Sequence, residues 1–252
     1  MMHGNDGHAD DDGSMIRLVE GAEKAFLAGR RKKQADVESA VGIFLELLKG
    51  FESFDLTGPC VTIFGSARIG ADDPIYAMTR ALGRGLAERG FTVITGGGPG
   101  LMEAANRGAK DAGGHSIGCN IRLAMEQEPN RWLDQFVEFE HFFVRKAMLI
   151  KYSSAFVILP GGFGTMDEAF EIATLIQTGK LERFPVVAMG REFWDPVRQL
   201  FRGAMTERNL IGPTDLDPVK LTDDVAEAVE WIVAGMRRPG DLRPPAPGSF
   251  TR

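Results

Sequence analysis

Short apolar runs alternate with amphipathic segments along most of the chain. Five runs are nearly continuous in apolar residues, and we predict a β-strand at each: residues 61–64, 91–94, 115–119, 155–159 and 185–189. Strands that are apolar on both sides are typical of a parallel sheet covered by helices on both faces. Helical periodicity between the runs predicts helices at residues 74–89, 100–112, 142–152, 165–178, 192–207 and 223–236.

This alternation predicts an α/β fold, a Rossmann-like doubly wound parallel sheet in a three-layer αβα arrangement. Two extra helices are predicted ahead of the first strand, over residues 15–27 and 37–51. Phe44, Leu45 and Leu48 lie on one apolar face of the second. That face would either pack on the protein's own core or bury a symmetric interface between subunits.

The chain of 252 residues is long enough for one large domain, which we expect over residues 14–237. Residues 14–56 would form its N-terminal helices. Residues 1–13 are polar and rich in Gly and Asp, and we expect them to form a disordered tail. The Pro-rich residues 238–252 are expected to form a second tail.

Charge and hydropathy narrow the class of protein. A net charge of -6, from 29 Lys+Arg and 35 Asp+Glu, argues against a protein that coats nucleic-acid backbone. No apolar stretch approaches the roughly 18 to 20 residues that span a bilayer, and the N-terminus lacks a secretory signal pattern. We therefore expect a cytoplasmic protein with neither nucleic-acid nor membrane partners. Cys60 and Cys119 are expected to be buried free thiols.

Three predicted strands end in loops rich in small residues. The loops read GSAR after the first strand, TGGGPG after the second and PGGFGT after the fourth. Each loop leads into a helix, where backbone N–H groups and the helix dipole favour phosphate. Glycines also serve simple tight turns. Three such loops at one sheet edge nevertheless favour a phosphorylated ligand.

The common nucleotide fingerprints do not fit these loops. The pattern G-x-x-x-x-G-K-[ST] is absent from the sequence, so no P-loop lysine is available for a β- or γ-phosphate. From Gly98 the chain reads GPGLME, which puts Glu103 in place of the third glycine of a dinucleotide fingerprint. A monophosphate therefore suits the loops better than NAD or ATP.

Three motifs occur in an order that resembles a known family. PGGFGTMDE at residues 160–168 matches the P-G-G-x-G-T-x-x-E signature of the LOG ("lonely guy") family of cytokinin riboside 5′-monophosphate phosphoribohydrolases. GGGPGLMEAA at residues 96–105 resembles that family's first glycine motif, and FVRK at residues 143–146 resembles its Arg-Lys pair. The similarity runs from about residue 61 to residue 189.

The resemblance implies a reaction, the hydrolysis of the N-glycosidic bond of a nucleoside 5′-monophosphate to free base and ribose 5-phosphate. It implies that Arg145 and Glu168 are the catalytic residues. The 5′-phosphate would be bound by five residues of the third loop, Gly161, Gly162, Phe163, Gly164 and Thr165. The remaining nucleotide contacts are expected from Gly65, Ser66, Gly97, Gly98, Met102 and Lys146. The reaction needs neither metal nor cofactor, and the family implies a homodimer or a larger even-numbered oligomer.

The residue types fit this chemistry. Cleavage of a C1′–N bond develops oxocarbenium character on the ribose, which a carboxylate stabilises while it orients or deprotonates water. Glu168 follows Thr165 by three residues, so we expect it in the first turn of the helix, with Thr165 as the helix cap. Arg145 is always charged and binds phosphate or carboxylate through two parallel bonds.

Alternative roles remain open for several residues. Glu168 would otherwise be an N-terminal helix charge, and Arg145 would otherwise pair with Glu140 on the surface. Asp167 is expected to tune the site, and Lys151 to be a solvated charge. Three polar residues would contact ribose or base, or would serve as helix caps or turn residues instead: Glu103, Asn106 and Asn120.

Two other functions remain open from the sequence. The fold would also suit a nucleotide- or cofactor-binding carrier module, similar to molybdenum-cofactor carrier proteins. A pyridoxal-phosphate decarboxylase, a label formerly attached to the family, would require a Schiff-base lysine, and no lysine stands in a convincing pocket context. Base recognition is expected from loops such as residues 122–132, which leaves N6-isopentenyladenine, adenine and other bases open.

Overall fold

A computed structural model describes residues 22–54, 56, 58–123, 128–181 and 184–236 of the chain. The two expected tails lie outside the described residues. The first predicted helix is described only from Ala22 onward, where it forms a short helix.

The described residues contain eight α-helices and seven strands. Helices α1 to α8 are Ala22–Leu27, Lys33–Ser53, Pro74–Glu88, Leu101–Asp111, Phe142–Lys151, Phe163–Gln177, Arg191–Leu200 and Val225–Gly235. Strands β1 to β7 are Cys60–Phe64, Thr92–Thr95, Ser116–Ile121, Gln135–Phe139, Ala155–Ile158, Val186–Ala188 and Val219–Leu221. A π-helical turn, Phe201–Thr206, continues α7. Within this part of the chain, no helix is both long and apolar enough to cross a membrane.

The strands form one parallel sheet in the order β4-β3-β2-β1-β5-β6-β7. The direction of winding reverses between β1 and β5, which pair from Val61 and Ala155 onward. Loops that follow the two strands at such a reversal leave toward opposite faces of the sheet, and a crevice opens between them. The predicted doubly wound sheet is confirmed, and its crevice lies where two of the glycine-rich loops begin.

Helices cover both faces of the sheet. One core lies under α3, α4 and α8, and the other lies under α2, α5, α6 and α7. Strand β1 contributes to both cores because alternate side chains point to opposite faces. Val61 and Ile63 belong to the first core, whereas Cys60 and Phe64 belong to the second. The predicted three-layer arrangement is confirmed, and Cys60 and Cys119 are buried free thiols as expected.

The prediction from sequence missed the two strands at the sheet edges. β4 reads QFVEF and alternates between buried and more exposed positions, and β7 has only three residues. An edge strand pairs on one side only and needs no continuous apolar run. The five predicted strands are the five inner strands of the sheet.

Helix α2 presents its apolar face to solvent. Phe44 and Leu45 are each 57% exposed and Leu48 is 38% exposed. These side chains are therefore not covered by the described residues, and an interface between subunits at this face stays a prediction. The opposite face packs on α5 through Gly50, where an added Cβ would lie 2.7 Å from the sulfur of Met148.

Helices α3 and α4 touch backbone to backbone. A Cβ added to Gly108 of α4 would lie 1.9 Å from the carbonyl oxygen of Arg80. A Cβ added to Gly83 of α3 would lie 2.2 Å from the carbonyl oxygen of Ala105. Glycine at both positions lets α4 approach closely enough to bring its N-terminus to the crevice.

We expect Gly108→Ala to destabilise the fold by about 1–3 kcal/mol, because the new methyl group must push two helix backbones apart. Gly42→Ala is the matched control, since a Cβ at this exposed position of α2 meets nothing within 4 Å. It should be neutral or stabilise by about 0.5–1 kcal/mol. Urea unfolding followed by circular dichroism measures both changes. Equal unfolding midpoints for the two variants would contradict the packing described for α3 and α4.

Candidate active site

Hydrogen bonds join the three glycine-rich loops at the carboxyl edge of the sheet. Ser66, after β1, donates its backbone N–H to the carbonyl of Pro160 at 3.0 Å. Its own carbonyl accepts the N–H of Leu101 at 3.0 Å. The loop after β1 therefore lies between the other two and fixes where α4 and α6 begin.

The second loop needs glycine for its backbone conformation. Gly97 and Gly100 have φ angles of 73° and 70°, in the region that side chains disfavour. A Cβ on Gly100 would also lie 2.5 Å from the carbonyl oxygen of Ser66. The Asn130 side chain donates to the carbonyls of Gly97 and Gly98 at 3.1 and 3.0 Å. The turn is thus supported from the connection between β3 and β4.

The third loop supplies the N-terminus of α6. The helix begins at Phe163, and the N–H of Met166 donates to the carbonyl of Gly162 at 3.0 Å. The three preceding N–H groups, those of Phe163, Gly164 and Thr165, have no acceptor within the helix. Gly162, Phe163 and Gly164 are exposed. This end of α6 is therefore accessible to an anion.

The helix starts two residues earlier than the sequence pattern predicts. Gly162 is the N-cap residue, so the prediction that Thr165 caps the helix is wrong. Glu168 accordingly lies in the second turn and not in the first. Thr165 is buried, and its hydroxyl lies so close to Gly161 that a Cβ there would be 2.1 Å away. Gly161 thus makes room for the side chain of Thr165.

Arg145 and Glu168 form a buried ion pair at the centre of this edge. Nη1 of Arg145 lies 2.6 Å from Oε1 of Glu168, and the side chains are only 12% and 6% exposed. Nε of Arg145 donates to the carbonyl of Cys119 at 3.0 Å. Nη2 would lie 3.0 Å from a Cβ on Gly96. The guanidinium group therefore spans the ends of β2 and β3 and reaches α6.

The environment of Glu168 disfavours the charged form of its carboxyl group. Burial raises the pKa of Glu168 above the ordinary glutamate value, and the nearby charge of Arg145 opposes this shift only in part. Oε1 accepts a hydrogen bond from Arg145, whereas Oε2 is buried and has no hydrogen-bond partner among the described residues. One oxygen is thus fixed by Arg145, and the other is buried without a partner among the described residues.

Helix α2 fixes the start of the helix that carries Arg145. His141 is the N-cap of α5, and its carbonyl accepts the N–H of Arg145 at 3.1 Å. Oε2 of Glu46 lies 2.6 Å from Nδ1 of His141. Oε1 of Glu46 accepts the backbone N–H groups of Glu140 and His141. Sequence reasoning missed Glu46, because one glutamate on an amphipathic helix carries no signal of its partner.

Lys146 links α5 to α6 beside the Arg145–Glu168 pair. Its amino group lies 3.2 Å from Asp167 and 3.0 Å from Glu171. Burial disfavours the ammonium ion, but the two carboxylates outweigh this effect and hold the pKa of Lys146 above its ordinary value. Among the described contacts, Asp167 pairs with Lys146 and not with Arg145. The negative charge of Asp167 acts on Glu168 at a distance and raises the pKa of Glu168.

The structure tests the alternative roles predicted for Arg145 and Lys151. Glu140 pairs with Arg122 at 2.5 Å, so it is not the partner of Arg145. Lys151 is exposed at the end of α5, with its amino group 5.5 Å from the centre of the Phe51 ring.

Two of the three polar residues predicted to contact ribose or base form hydrogen bonds within the protein. Asn106 is buried and bonds to the hydroxyl groups of Thr95 at 2.6 Å and Ser116 at 2.8 Å. Asn120 accepts the N–H of Ile121 at 2.6 Å. These bonds are the turn and scaffold roles that the sequence left open. Glu103 lies in the first turn of α4, and Met102 places its sulfur beside Gly96.

A cavity of about 180 Å³ lies elsewhere, on the side of α6 that faces away from Glu168. Met166 and Ala173 line it together with Trp194, Val197 and Phe201. The cavity is mostly apolar and includes neither Arg145 nor the glycine-rich loops. The polar groups converge in the crevice, so the crevice and not this cavity is the candidate active site.

The sequence is similar to those of several known proteins. A family model described as possible lysine decarboxylase matches residues 102–232. A probable cytokinin riboside 5′-monophosphate phosphoribohydrolase of Arabidopsis thaliana, LOG6, is 33% identical over 135 residues, which cover 53% of this chain and 67% of that protein. A cytokinin riboside 5′-monophosphate phosphoribohydrolase of Mycobacterium tuberculosis is 25% identical over 177 residues, covering 69% and 94%.

Solved structures show the same fold. A molybdenum cofactor binding protein of Rippkaea orientalis superposes with a TM-score of 0.53 at 20% identity. The match covers 71% of this chain and 98% of that protein. At this level of identity the likeness concerns the fold alone.

We expect Arg145→Met to raise the pKa of Glu168 further, because the variant removes the charge that favours the carboxylate. Carbon-13 NMR of the glutamate carboxyl groups across a pH series measures the shift. Arg84→Met is the control, since Arg84 pairs with Glu88 on the far side of α3. A Glu168 titration that is the same in wild type and Arg145→Met would contradict the coupling.

The same pKa shift predicts the pH dependence of stability in the wild type. The folded state binds the Glu168 proton more tightly than the unfolded chain does. Its contribution to stability is therefore full below the ordinary glutamate pKa and is lost as the pH rises through the raised pKa.

Proposed function

Because the chain belongs to the LOG family, we propose that it hydrolyses the N-glycosidic bond of a nucleoside 5′-monophosphate to free base and ribose 5-phosphate. The observation that carries the proposal is the Glu168 carboxylate. One of its oxygens is fixed by Arg145, and the other is buried without a partner among the described residues. An oriented, desolvated carboxylate of this kind is suited to a developing positive charge.

The proposed phosphate site is the N-terminus of α6. Its first N–H groups and the helix dipole favour an anion. Glu168 follows Gly164 by four residues, which is about 6 Å along the helix axis. This spacing supports a substrate whose phosphate lies at the loop and whose ribose lies over Glu168, with both groups held by one rigid helix.

The reaction breaks the C1′–N bond and forms a C1′–O bond to water. In the proposed step, Glu168 stabilises the oxocarbenium character of the ribose and accepts a proton from the attacking water. The bonding electrons go to the departing base, which takes up a proton. Arg145 favours the ionised form of Glu168 and orients it through the 2.6 Å hydrogen bond.

Decarboxylation, the activity in the family description, does not fit these residues. A pyridoxal-phosphate enzyme needs a lysine that loses its proton to form a Schiff base. Lys146 is the lysine beside Arg145 and Glu168, and two carboxylates hold its pKa above the ordinary value. The ion pairs of Lys146 therefore favour a role in joining α5 to α6.

A carrier module without catalysis is the second candidate, because a molybdenum cofactor binding protein has the same fold. Ligand binding alone would not require a buried carboxylate with one unpartnered oxygen, since burial without a partner is costly. The cost of burying Glu168 is understandable if the free oxygen acts on a bound substrate. A hydrolase would release free base from a bound nucleotide, whereas a carrier would bind the nucleotide without releasing base.

We expect Glu168→Gln to lower kcat by roughly a thousandfold, equivalent to a barrier increase of about 4 kcal/mol. The substitution removes the charge and nearly preserves the volume. Chromatography of free adenine released from AMP, and of the base released from N6-isopentenyladenosine 5′-monophosphate, measures the rate. Glu88→Gln is the control, since Glu88 is an exposed residue that pairs with Arg84 on α3, and it should stay within tenfold of wild type. If Glu168→Gln kept more than a tenth of the wild-type kcat, Glu168 would not be the main charge stabiliser.

We expect Gly162→Val to raise the Kd for ribose 5-phosphate at least about tenfold, because a branched side chain would occupy the anion site at the helix N-terminus. Gly162 has a φ of −86°, and a Cβ there meets nothing within 4 Å, so the fold should tolerate the change. Gly164→Val has equally open surroundings and should act alike. Isothermal titration calorimetry measures the affinity.

Gly58→Val is the control for these variants, because a Cβ at this exposed loop glycine also meets nothing within 4 Å. Its affinity for ribose 5-phosphate should equal that of wild type. Unchanged affinity in folded Gly162→Val and Gly164→Val proteins would place the anion site elsewhere, even if Glu168 proved essential.

A further inference from the structure

Helix α2 buries a carboxylate where an apolar side chain would be expected. Glu46 and Gly50 are the two buried residues of α2, and they lie one turn apart on the side that faces α5. The apolar neighbours Phe44 and Leu45 are instead exposed. Burial of a carboxylate is unfavourable unless hydrogen bonds replace those to water. The position of Glu46 in the fold is therefore explained by its hydrogen bonds.

The described hydrogen bonds of Glu46 all go to the start of α5. Oε1 accepts the backbone N–H groups of Glu140 and His141, and Oε2 lies 2.6 Å from Nδ1 of His141. His141, the N-cap residue, makes no capping bond with its own side chain. The next N–H, that of Phe142, donates to Glu23 of α1 at 3.2 Å. Two carboxylates from the helices before β1 thus replace a local cap, at the end of α5 where the helix dipole favours negative charge.

Arg145 is placed by the same turn of α5. Its N–H donates to the carbonyl of His141 at 3.1 Å, which closes the first turn of the helix. The guanidinium group then reaches the carbonyl of Cys119 and the carboxylate of Glu168 at the same time, at 3.0 and 2.6 Å. The apolar contacts of α5 are non-directional and tolerate small slides, whereas hydrogen bonds to its first turn restrict movement along the axis. Loss of these bonds would therefore weaken the two contacts of Arg145.

We propose that Glu46 is a positioning residue of the active site, which sets Arg145 against Glu168 by holding the first turn of α5. Glu46 acts through His141 and bonds to neither Arg145 nor Glu168 among the described contacts. Its effect on catalysis rests on the proposed hydrolysis, whereas its effect on Arg145 does not. The family model matches residues 102–232, so α2 contributes to the site from outside the matched residues.

The direct test is the pKa of Glu168, measured by carbon-13 NMR of the carboxyl groups across a pH series. Glu46→Met nearly keeps the length of the side chain but removes both carboxylate oxygens. It should raise the pKa of Glu168, because a displaced Arg145 favours the carboxylate less. Loss of the Glu46 charge by itself would have the opposite effect, since a nearby negative charge raises the pKa of a carboxyl group. A rise therefore reports a change in the position of Arg145.

Matched variants complete this test. Glu46→Gln keeps an oxygen that accepts the backbone N–H groups and should leave the pKa of Glu168 close to its wild-type value. Glu38→Met is the control on the same helix, since Glu38 is exposed and its described hydrogen bond comes from Gln34 one turn away. In an Arg145→Met background, Glu46→Met should cause no further rise, because the residue through which it acts is gone.

Activity gives the second readout. Glu46→Met should lower kcat for base release from AMP roughly tenfold to a hundredfold, the scale of loss for a misplacement of about 1 Å. KM should change little, because the proposed phosphate site on α6 is untouched. Glu46→Gln should recover most of the lost activity. Circular dichroism confirms folding, and Glu46→Ala is a second variant that removes the same hydrogen bonds.

Three results would overturn the proposal. The first is a Glu168 pKa that is unchanged or lowered in folded Glu46→Met and Glu46→Ala proteins. The second is a further rise of this pKa in the Arg145→Met background. The third is a loss of kcat that Glu46→Gln does not relieve. If the wild type released no base from any monophosphate while the pKa of Glu168 rose as expected, the proposed hydrolysis would be wrong and the positioning of Arg145 by Glu46 would remain supported.

Discussion

The buried ion pair between Arg145 and Glu168 is the interaction on which the arrangement of the crevice depends. Two charges removed from water are stable only when their geometry is good and their remaining hydrogen-bonding groups are largely satisfied. Arg145 meets this condition through Glu168 and the carbonyl of Cys119. Glu168 meets it with one oxygen only. The desolvation of the pair is therefore uncompensated at a single buried atom, Oε2 of Glu168.

The elements around the pair hold its two helices in position. Glu46 of α2 bonds to the residues that start α5, four residues before Arg145. Lys146 joins α5 to α6 through Asp167 and Glu171. The loop at Ser66 bonds to the loops ahead of α4 and α6. Because α6 carries both the free N–H groups and Glu168, any shift of this helix moves the proposed phosphate site and the carboxylate together.

The inner strands of the sheet could be predicted from the sequence, whereas the two edge strands could not. Inner strands are buried on both faces and therefore read as apolar runs, whereas β4 alternates and β7 is too short to stand out. The glycine motifs predicted the position of the crevice. Gly97 and Gly100 have positive φ angles, which favour glycine, so the sequence shows glycine at these positions. The start of α6 was misjudged because Gly162, which has no side chain, caps it. The role of Glu46 could not be predicted, because its partner His141 is distant in the chain and belongs to another element.

We propose that the chain cleaves the glycosidic bond of a nucleotide that it holds by the 5′-phosphate. The most direct measurement is the release of free base by the purified wild-type protein from matched nucleoside 5′-monophosphates and nucleosides, together with the yield of ribose 5-phosphate. The account predicts equal amounts of base and ribose 5-phosphate from at least one monophosphate, and no base from the matching nucleoside. A folded protein that releases no base from any monophosphate, or that cleaves nucleosides equally well, would contradict it.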